Sequence, residues 1–360
     1  MTDPASTQRD HHWGIAIIAV AAAVWLMTYA KDLLIPLAVA LLISWVIDAL
    51  ADGVQSLKLG PVQLPGWASL AVALSIMVIG MTGAGVLIAE NASELIDRAP
   101  GYEEKLDQLL LDGAAFLGLK QTLNLSGLLA MADLSAVLTQ TARALSELIG
   151  NAFLIFIYVG FILAEERMFD RKIAMFFVSK EREDQVRDML EQVTIRIRSY
   201  LWMKTLTSLM TGLASYVILM IFAIDFALFW SFLIFMLNFI PAIGSIVGAI
   251  VPALMALVQY GDPLVALLVL AALGVVAQFL IGNFIEPRMM GRSLNLSPFI
   301  IILSLSAWGF VWGIAGMFLS VPLTVVAMII CSHFEATRPI AVVLSSDGEI
   351  VRPKSATPTA

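Results

Sequence analysis

Few residues of this long apolar chain are able to handle a polar solute, and they fall in three places. The first is Asn238, Pro241, Gly244, Gly248 and Pro252, inside residues 226–261, a stretch with no Asp, Glu, Lys, Arg or His. Proline lacks an amide hydrogen, so Pro241 frees a carbonyl and breaks a helix, while Gly244, Gly248 and Pro252, four apart, lie near one face. Two readings stand side by side. A ridge of small residues admits a neighbouring helix at close range; alternatively, the break turns unpaired amides and carbonyls towards a cavity, with Asn238 as a polar ligand beside them. The second place is the run Gly282-Asn283-Phe284-Ile285-Glu286-Pro287-Arg288-Met289-Met290-Gly291-Arg292. Here Glu286 and Arg288, either side of Pro287, read as a gate, an ion pair or a proton site, or as a helix stop with interfacial charges. Gln278 and Asn283 lie deeper and either bind a polar substrate or hydrogen-bond a neighbouring helix. The third place is Gly309, Gly313, Gly316 and Pro322 within residues 293–332, again without a charged side chain and loosely similar in layout to the first. Trp308 and Trp312 flank that turn and suit anchoring at a lipid interface or lining a pore.

Other chemistries find little support. Cys331 is the single cysteine and His11, His12 and His333 are the three histidines, which provides neither a disulfide nor a His/Cys metal cluster. No metal and no cofactor is expected. No Gly-x-Ser-x-Gly elbow, His-Glu-x-x-His motif or phosphate loop occurs within the apolar segments, so an enzyme is not expected. The formal charge of −7 offers no basic surface to a nucleic acid. Asp48 and Asp225 each lack a second carboxylate at helical spacing in the same apolar run; they read as boundary residues ahead of a proton or sodium site.

Composition says what must hold these residues in place. The 360 residues are 60% hydrophobic and 14% charged, whereas soluble domains carry about 25% charged residues. A helix needs roughly 20 residues to cross about 30 Å of hydrocarbon, so 226–261 and 297–331 are each too long for one pass and should fold back on themselves. The other predicted spans are Trp13–Ala30, Leu33–Leu50, Trp67–Ala89, Asn151–Ala164, Thr205–Ala223 and Leu264–Ile285. Lys31-Asp32 is the expected two-residue turn of a tight hairpin between the first two. The fold class is therefore all-α: a polytopic integral membrane protein of about eight transmembrane helices, with two Gly/Pro-broken segments that are helical hairpins or re-entrant.

Residues 90–148 hold four Lys/Arg against nine Asp/Glu, while 165–204 hold nine Lys/Arg. Positive loops stay in the cytoplasm, which places 165–204 and both termini inside and 90–148 outside. The organisation expected is three membrane helices over 1–89, an extracytoplasmic segment of short amphipathic helices over 90–148, a second membrane region over 149–340 containing the cytoplasmic helical segment 165–204, and a flexible cytoplasmic tail over 341–360.

Taken in order, Trp67, the run from Asn238 to Gly244, the run from Gly282 to Gly291, Leu296-Ser297-Pro298, Gly313-Ile314-Ala315-Gly316-Met317 and Val321-Pro322-Leu323 resemble the autoinducer-2 exporter family of bacterial permeases. The resemblance covers most of the chain. It implies a permease of the bacterial cytoplasmic (inner) membrane that exports a small polar metabolite or signalling molecule such as autoinducer-2, assembled as a homo-oligomer, a pentamer. Its partners are then a small polar substrate and the lipid bilayer. Some relatives are linked to sodium–proton exchange, so a sodium (lithium)/proton antiporter is the alternative. Coupling would then have to use Glu286, Asp48 or backbone carbonyls, because the longest apolar stretches hold no carboxylate. A scaffold without transport gains nothing obvious from two helix breaks.

Overall fold

The computed structural model describes residues 18–19, 21–56, 65–116, 151–177, 179–290 and 294–348. Helices dominate throughout: α1 (Lys31–Ser56), α2 (Gly66–Phe116), α3 (Ala152–Phe176), α4 (Lys180–Ile221), α5 (Ala227–Leu237), α6 (Ile243–Tyr260), α7 (Pro263–Ala272) continued by a π-wound segment (Leu273–Ile285), α8 (Glu286–Met290), α9 (Pro298–His333) and α10 (Arg338–Leu344). Among the described residues, six helical stretches are long and apolar enough to cross a membrane, and α5 is a shorter apolar helix. This is an all-α polytopic membrane protein.

Several helices outrun the spans predicted for them. Helix α2 continues 51 residues through the segment expected to hold separate short helices, and α4 joins the charged segment and the fifth span into one helix of 42 residues. A helix keeps its backbone bonds internal in lipid and in water alike. A change of solvent therefore does not end it, and i,i+4 pairs such as Arg187–Glu183 at 2.8 Å support it outside the apolar part. Residues 117–148, also expected in that outer segment, lie outside the described residues. The predicted turn at Lys31-Asp32 is smaller than expected. Ala30 alone interrupts the helix: its N–H donates to Leu26 O at 2.8 Å and its carbonyl accepts from Leu34 N–H at 2.9 Å, while Lys31 and Asp32 already open α1.

The chain divides into two compact units, one of residues 1–44, 154–197 and 294–360, the other of 45–153 and 198–293. In the second, most buried residues of α6 are small (Gly244, Gly248, Ala249, Ala253 and Ala256), with Met255 and Val258 the larger ones, while Ile246, Ile250 and Leu254 stand exposed. That is the pattern of a membrane helix, where close backbone approach replaces a hydrophobic drive and large apolar side chains meet lipid.

Helices α5 and α6 form the first hairpin. Eleven residues give α5 a length of about 16 Å, half of a crossing. The hairpin's base is tied to the end of α4: the Gln259 carboxamide accepts from Asp225 N–H at 2.8 Å and donates to Ala223 O at 2.9 Å, and Tyr260 Oη donates to Phe222 O at 2.8 Å. The extension of α2 reaches the same place, where Tyr102 Oη donates to Asp225 Oδ2 at 3.2 Å and Arg98 lies 3.7 Å from that carboxylate. Burial, and then the charge of Asp225, push the Tyr102 phenol above its ordinary range, so it stays a donor.

The second hairpin is α9 itself, reversed at Gly313 (φ 61°, ψ −139°). Trp308 Nε1 donates to Thr324 Oγ1 at 3.3 Å although the two are 16 residues apart. A straight helix would separate them by about 24 Å. Trp312 Nε1 donates to Met27 O at 3.0 Å; both indole N–H groups are thus spent on internal fastening. The hairpin's base is clipped by the end of α10 and the chain just after it, through Ser297 N–H to Leu344 O at 3.1 Å and Ser346 N–H to Asn295 O at 3.1 Å.

Candidate functional site

One face of α4 carries Lys204, Thr207, Ser208, Thr211 and Ser215, all buried, at the i, i+3, i+4, i+7 and i+11 spacing that stacks side chains along a helix. Two of them satisfy themselves: Thr207 Oγ1 donates to Lys204 O at 3.1 Å and Thr211 Oγ1 to Thr207 O at 2.9 Å. The others look outwards. Ser208 Oγ accepts from Asn238 Nδ2 at 3.0 Å, at the tip of the first hairpin. Ser215 Oγ is buried without a partner.

The tip itself is residues 238–242. Local turns take up its amides, with Asn238 N–H on Ile234 O at 2.9 Å, Ile240 N–H on Leu237 O at 2.8 Å and Gly244 N–H on Ile240 O at 3.1 Å. Less backbone is left open than Pro241 suggested; side chains carry more of the polarity. Ala242 sits at φ 62°, ψ −49°, spanned by an Ile243 N–H to Pro241 O bond of 2.7 Å. This is the strained form of γ-turn. Gly244 is required by contact, because a Cβ there would run into the Leu237 carbonyl.

One turn further from the tip, a Cβ on Gly248 would lie 3.2 Å from Gln278 Nε2 and 3.2 Å from Ile234. Gln278 Nε2 is buried and has no hydrogen-bond partner. Pro252 has no N–H to offer the Gly248 carbonyl four residues back. An unspent donor and a carbonyl lacking its helical donor therefore share one level of the hairpin. Gln278 belongs to the π-wound segment, which closes with Glu286 N–H on Ile281 O, five residues back. Such winding is rare and concentrates at functional sites. Immediately after it, Glu286 Oε1 meets Lys204 Nζ at 2.7 Å, with the two side chains 19% and 8% exposed.

The structure thus sets Asn238 and Glu286 against the polar face of α4, at Ser208 and Lys204, and Gln278 against Gly248 of the hairpin that also carries Pro241, Gly244 and Pro252. It does not bring the rest of the second motif with them. Pro287 and Arg288 are exposed, Glu286 pairs with Lys204 and not with Arg288, and Asn283 is exposed with its Nδ2 returned to Phe279 O at 3.2 Å. Gly313, Gly316 and Pro322 belong to the second hairpin, in the other unit; Gly316 faces the Trp308 carbonyl as closely as Gly244 faces Leu237. Sequence reasoning missed Lys204 and the Ser/Thr face of α4. The signal was present as polar residues every three or four positions through an otherwise apolar span.

Two helical hairpins in a polytopic helical protein, one turning at Pro241-Ala242 with Asn238 buried at its tip and one turning at Gly313, define a permease-type architecture. The chain belongs to the AI-2E transporter family: the model of that family, described as "AI-2E family transporter", matches residues 15–336. It is 31% identical to a putative transport protein of Haemophilus influenzae, over 91% of this chain and 94% of that one. It is 30% identical to the AI-2 transport protein TqsA of Escherichia coli, covering 88% and 90% of the two chains. The putative transport protein YhhT of Escherichia coli is likewise 30% identical, over 91% of each.

Proposed function

We propose that this transporter exports a small polar metabolite or signalling solute of the autoinducer-2 kind across the bacterial cytoplasmic membrane. The observation carrying this reading is the buried contact of Asn238 with Ser208 at the tip of a hairpin whose first limb is half a crossing long. A polar lining at a helix break, with neighbouring unspent donors on Gln278 and Ser215, suits a solute that exchanges hydrogen bonds as it passes. The name of the TqsA relative, AI-2 transport protein, supports the choice of solute. On this reading the path runs along the α4 face past Asn238, Gly244, Gly248, Gln278 and Glu286, with Gly313, Gly316 and Pro322 shaping the second hairpin. The acidic 90–148 segment lies outside, both termini lie inside, and the working form is a homo-oligomer.

The test is efflux from liposomes preloaded with labelled ribitol. Protein-dependent release without cation movement is the expected result. Sodium-dependent proton movement in place of ribitol release would overturn it.

A further inference from the structure

The Lys204–Glu286 pair stands apart from the other polar groups because it places full charges at largely buried side chains. Lys204 lies one α4 turn from Ser208, the partner of Asn238, and Glu286 lies two helical turns from Gln278 and directly follows the π-wound segment. The two charges therefore join α4 to the end of that segment, next to the hairpin tip. A static brace has no need of charge here. Well-packed apolar side chains of similar volume hold two helices together as well as a buried ion pair does, or better, because each ion gives up its hydration. What an ion pair offers instead is two states of comparable free energy: closed and paired, or open with each ion hydrated. A hydrophobic plug has no such second state. Among the described residues of the α4 face from 204 to 215, Lys204 is the one charged side chain, so the closed pair also leaves this end of the path neutral.

We infer that the Lys204–Glu286 ion pair is a gate, closing the end of the path beside the tip of the first hairpin and opening by separation of the two charges. This inference rests on the transport reading, and it is testable without transport. With Cys331→Ser as background, Thr207→Cys places a thiol at a fully buried position one turn from Lys204. Its reaction with a membrane-impermeant cationic methanethiosulfonate reports whether water reaches the α4 face. Slow labelling is expected with the pair intact. Glu286→Gln and Lys204→Met should each speed it about tenfold, equivalent to about 1.4 kcal/mol in the open–closed balance. The exchanged pair, Lys204→Glu with Glu286→Lys, should return it towards the slow rate. Unchanged labelling in both single variants would overturn the gate. So would single variants that fail to assemble while the exchanged pair assembles, since that outcome identifies a folding brace. If labelling follows the pair but no ribitol leaves the vesicles, the gate stands and the proposed solute falls.

Discussion

The two hairpins solve the same problem with different materials. Each reverses a helix within an apolar stretch, and each brings its limbs together where a glycine lies against a carbonyl, Gly244 on Leu237 and Gly316 on Trp308. Beyond that they diverge. The second turns on Gly313, whose positive φ costs a glycine little and which has open space around it. Its polar groups are spent on holding itself together, as Trp308 is on Thr324. The first turns on Ala242, an L-residue at φ 62°, where such a conformation costs of order 1–3 kcal/mol and persists only if the surroundings impose it. Further along the same hairpin, Gln278 Nε2 lies against Gly248 with its hydrogen-bonding capacity unspent. Strain sits at the tip of the first hairpin and an unsatisfied donor, Gln278 Nε2, lies against its Gly248; among the described residues neither feature occurs at the tip of the second. On the transport reading, the first is the hairpin proposed to meet the solute.

The largest effects should come from the feature the hairpins share. Gly244→Ala and Gly316→Ala each drive a methyl group into backbone, which cannot swing aside as a side chain does. Overpacking costs about 1–3 kcal/mol in well-packed sites, and both variants should sit at or above the top of that range. Thermal unfolding in detergent measures it. A large drop in one variant and none in the other would break the parallel between the hairpins.

The turn residues sharpen the contrast, because the predicted signs are opposite. Gly313→Ala places an L-residue in a glycine region and should destabilise by about 1–3 kcal/mol. Ala242→Gly relieves strain of that size while adding about 0.5–1 kcal/mol of unfolded-chain entropy, leaving a net gain of roughly 1 kcal/mol. If the strain serves the site, the stabilised Ala242→Gly protein should release ribitol more slowly than the wild type. Equal signs in unfolding would show that the two tips are not differently loaded.

The breaks themselves were legible because they follow from arithmetic: charge-free runs too long for one crossing, punctuated by proline and glycine, have to fold back. Asn238, Gln278 and Glu286 could be picked out for the same reason, as polar groups where lipid penalises them. The α4 face showed only as a spacing of polar residues, and which of them look outwards was not legible. Ser and Thr in a helix commonly bond their own backbone, as Thr207 and Thr211 do, so composition does not say which of them looks outwards. Lys204 closes a run of charged residues beginning at Glu165 and looked like the end of a solvated surface; its pairing with Glu286, 82 residues later, is a product of tertiary packing. Helix ends were misjudged for a related reason, since charges mark where lipid stops and not where a helix must. The π-winding of 273–285 has no residue pattern that announces it.

The smallest changes in stability discriminate best between the roles of the two hairpins. Asn238→Leu removes the bond to Ser208 and Trp308→Phe removes the bond to Thr324. Side-chain hydrogen bonds between membrane helices are worth about 0.6 kcal/mol on average, so the two proteins should unfold at nearly the same temperature. Transport should separate them: ribitol efflux is lost in Asn238→Leu and kept in Trp308→Phe. Adding Ser208→Ala to Asn238→Leu tests whether the loss is one of polarity or of packing. Removing both partners of a buried bond is close to neutral for stability. Any stability lost in the single variant should therefore return, while a polar lining needed by the solute does not. Efflux that recovers along with stability would make the Asn238–Ser208 bond a helix fastener like its counterpart in the second hairpin, and the distinction between the two would fail at the point where it carries most weight.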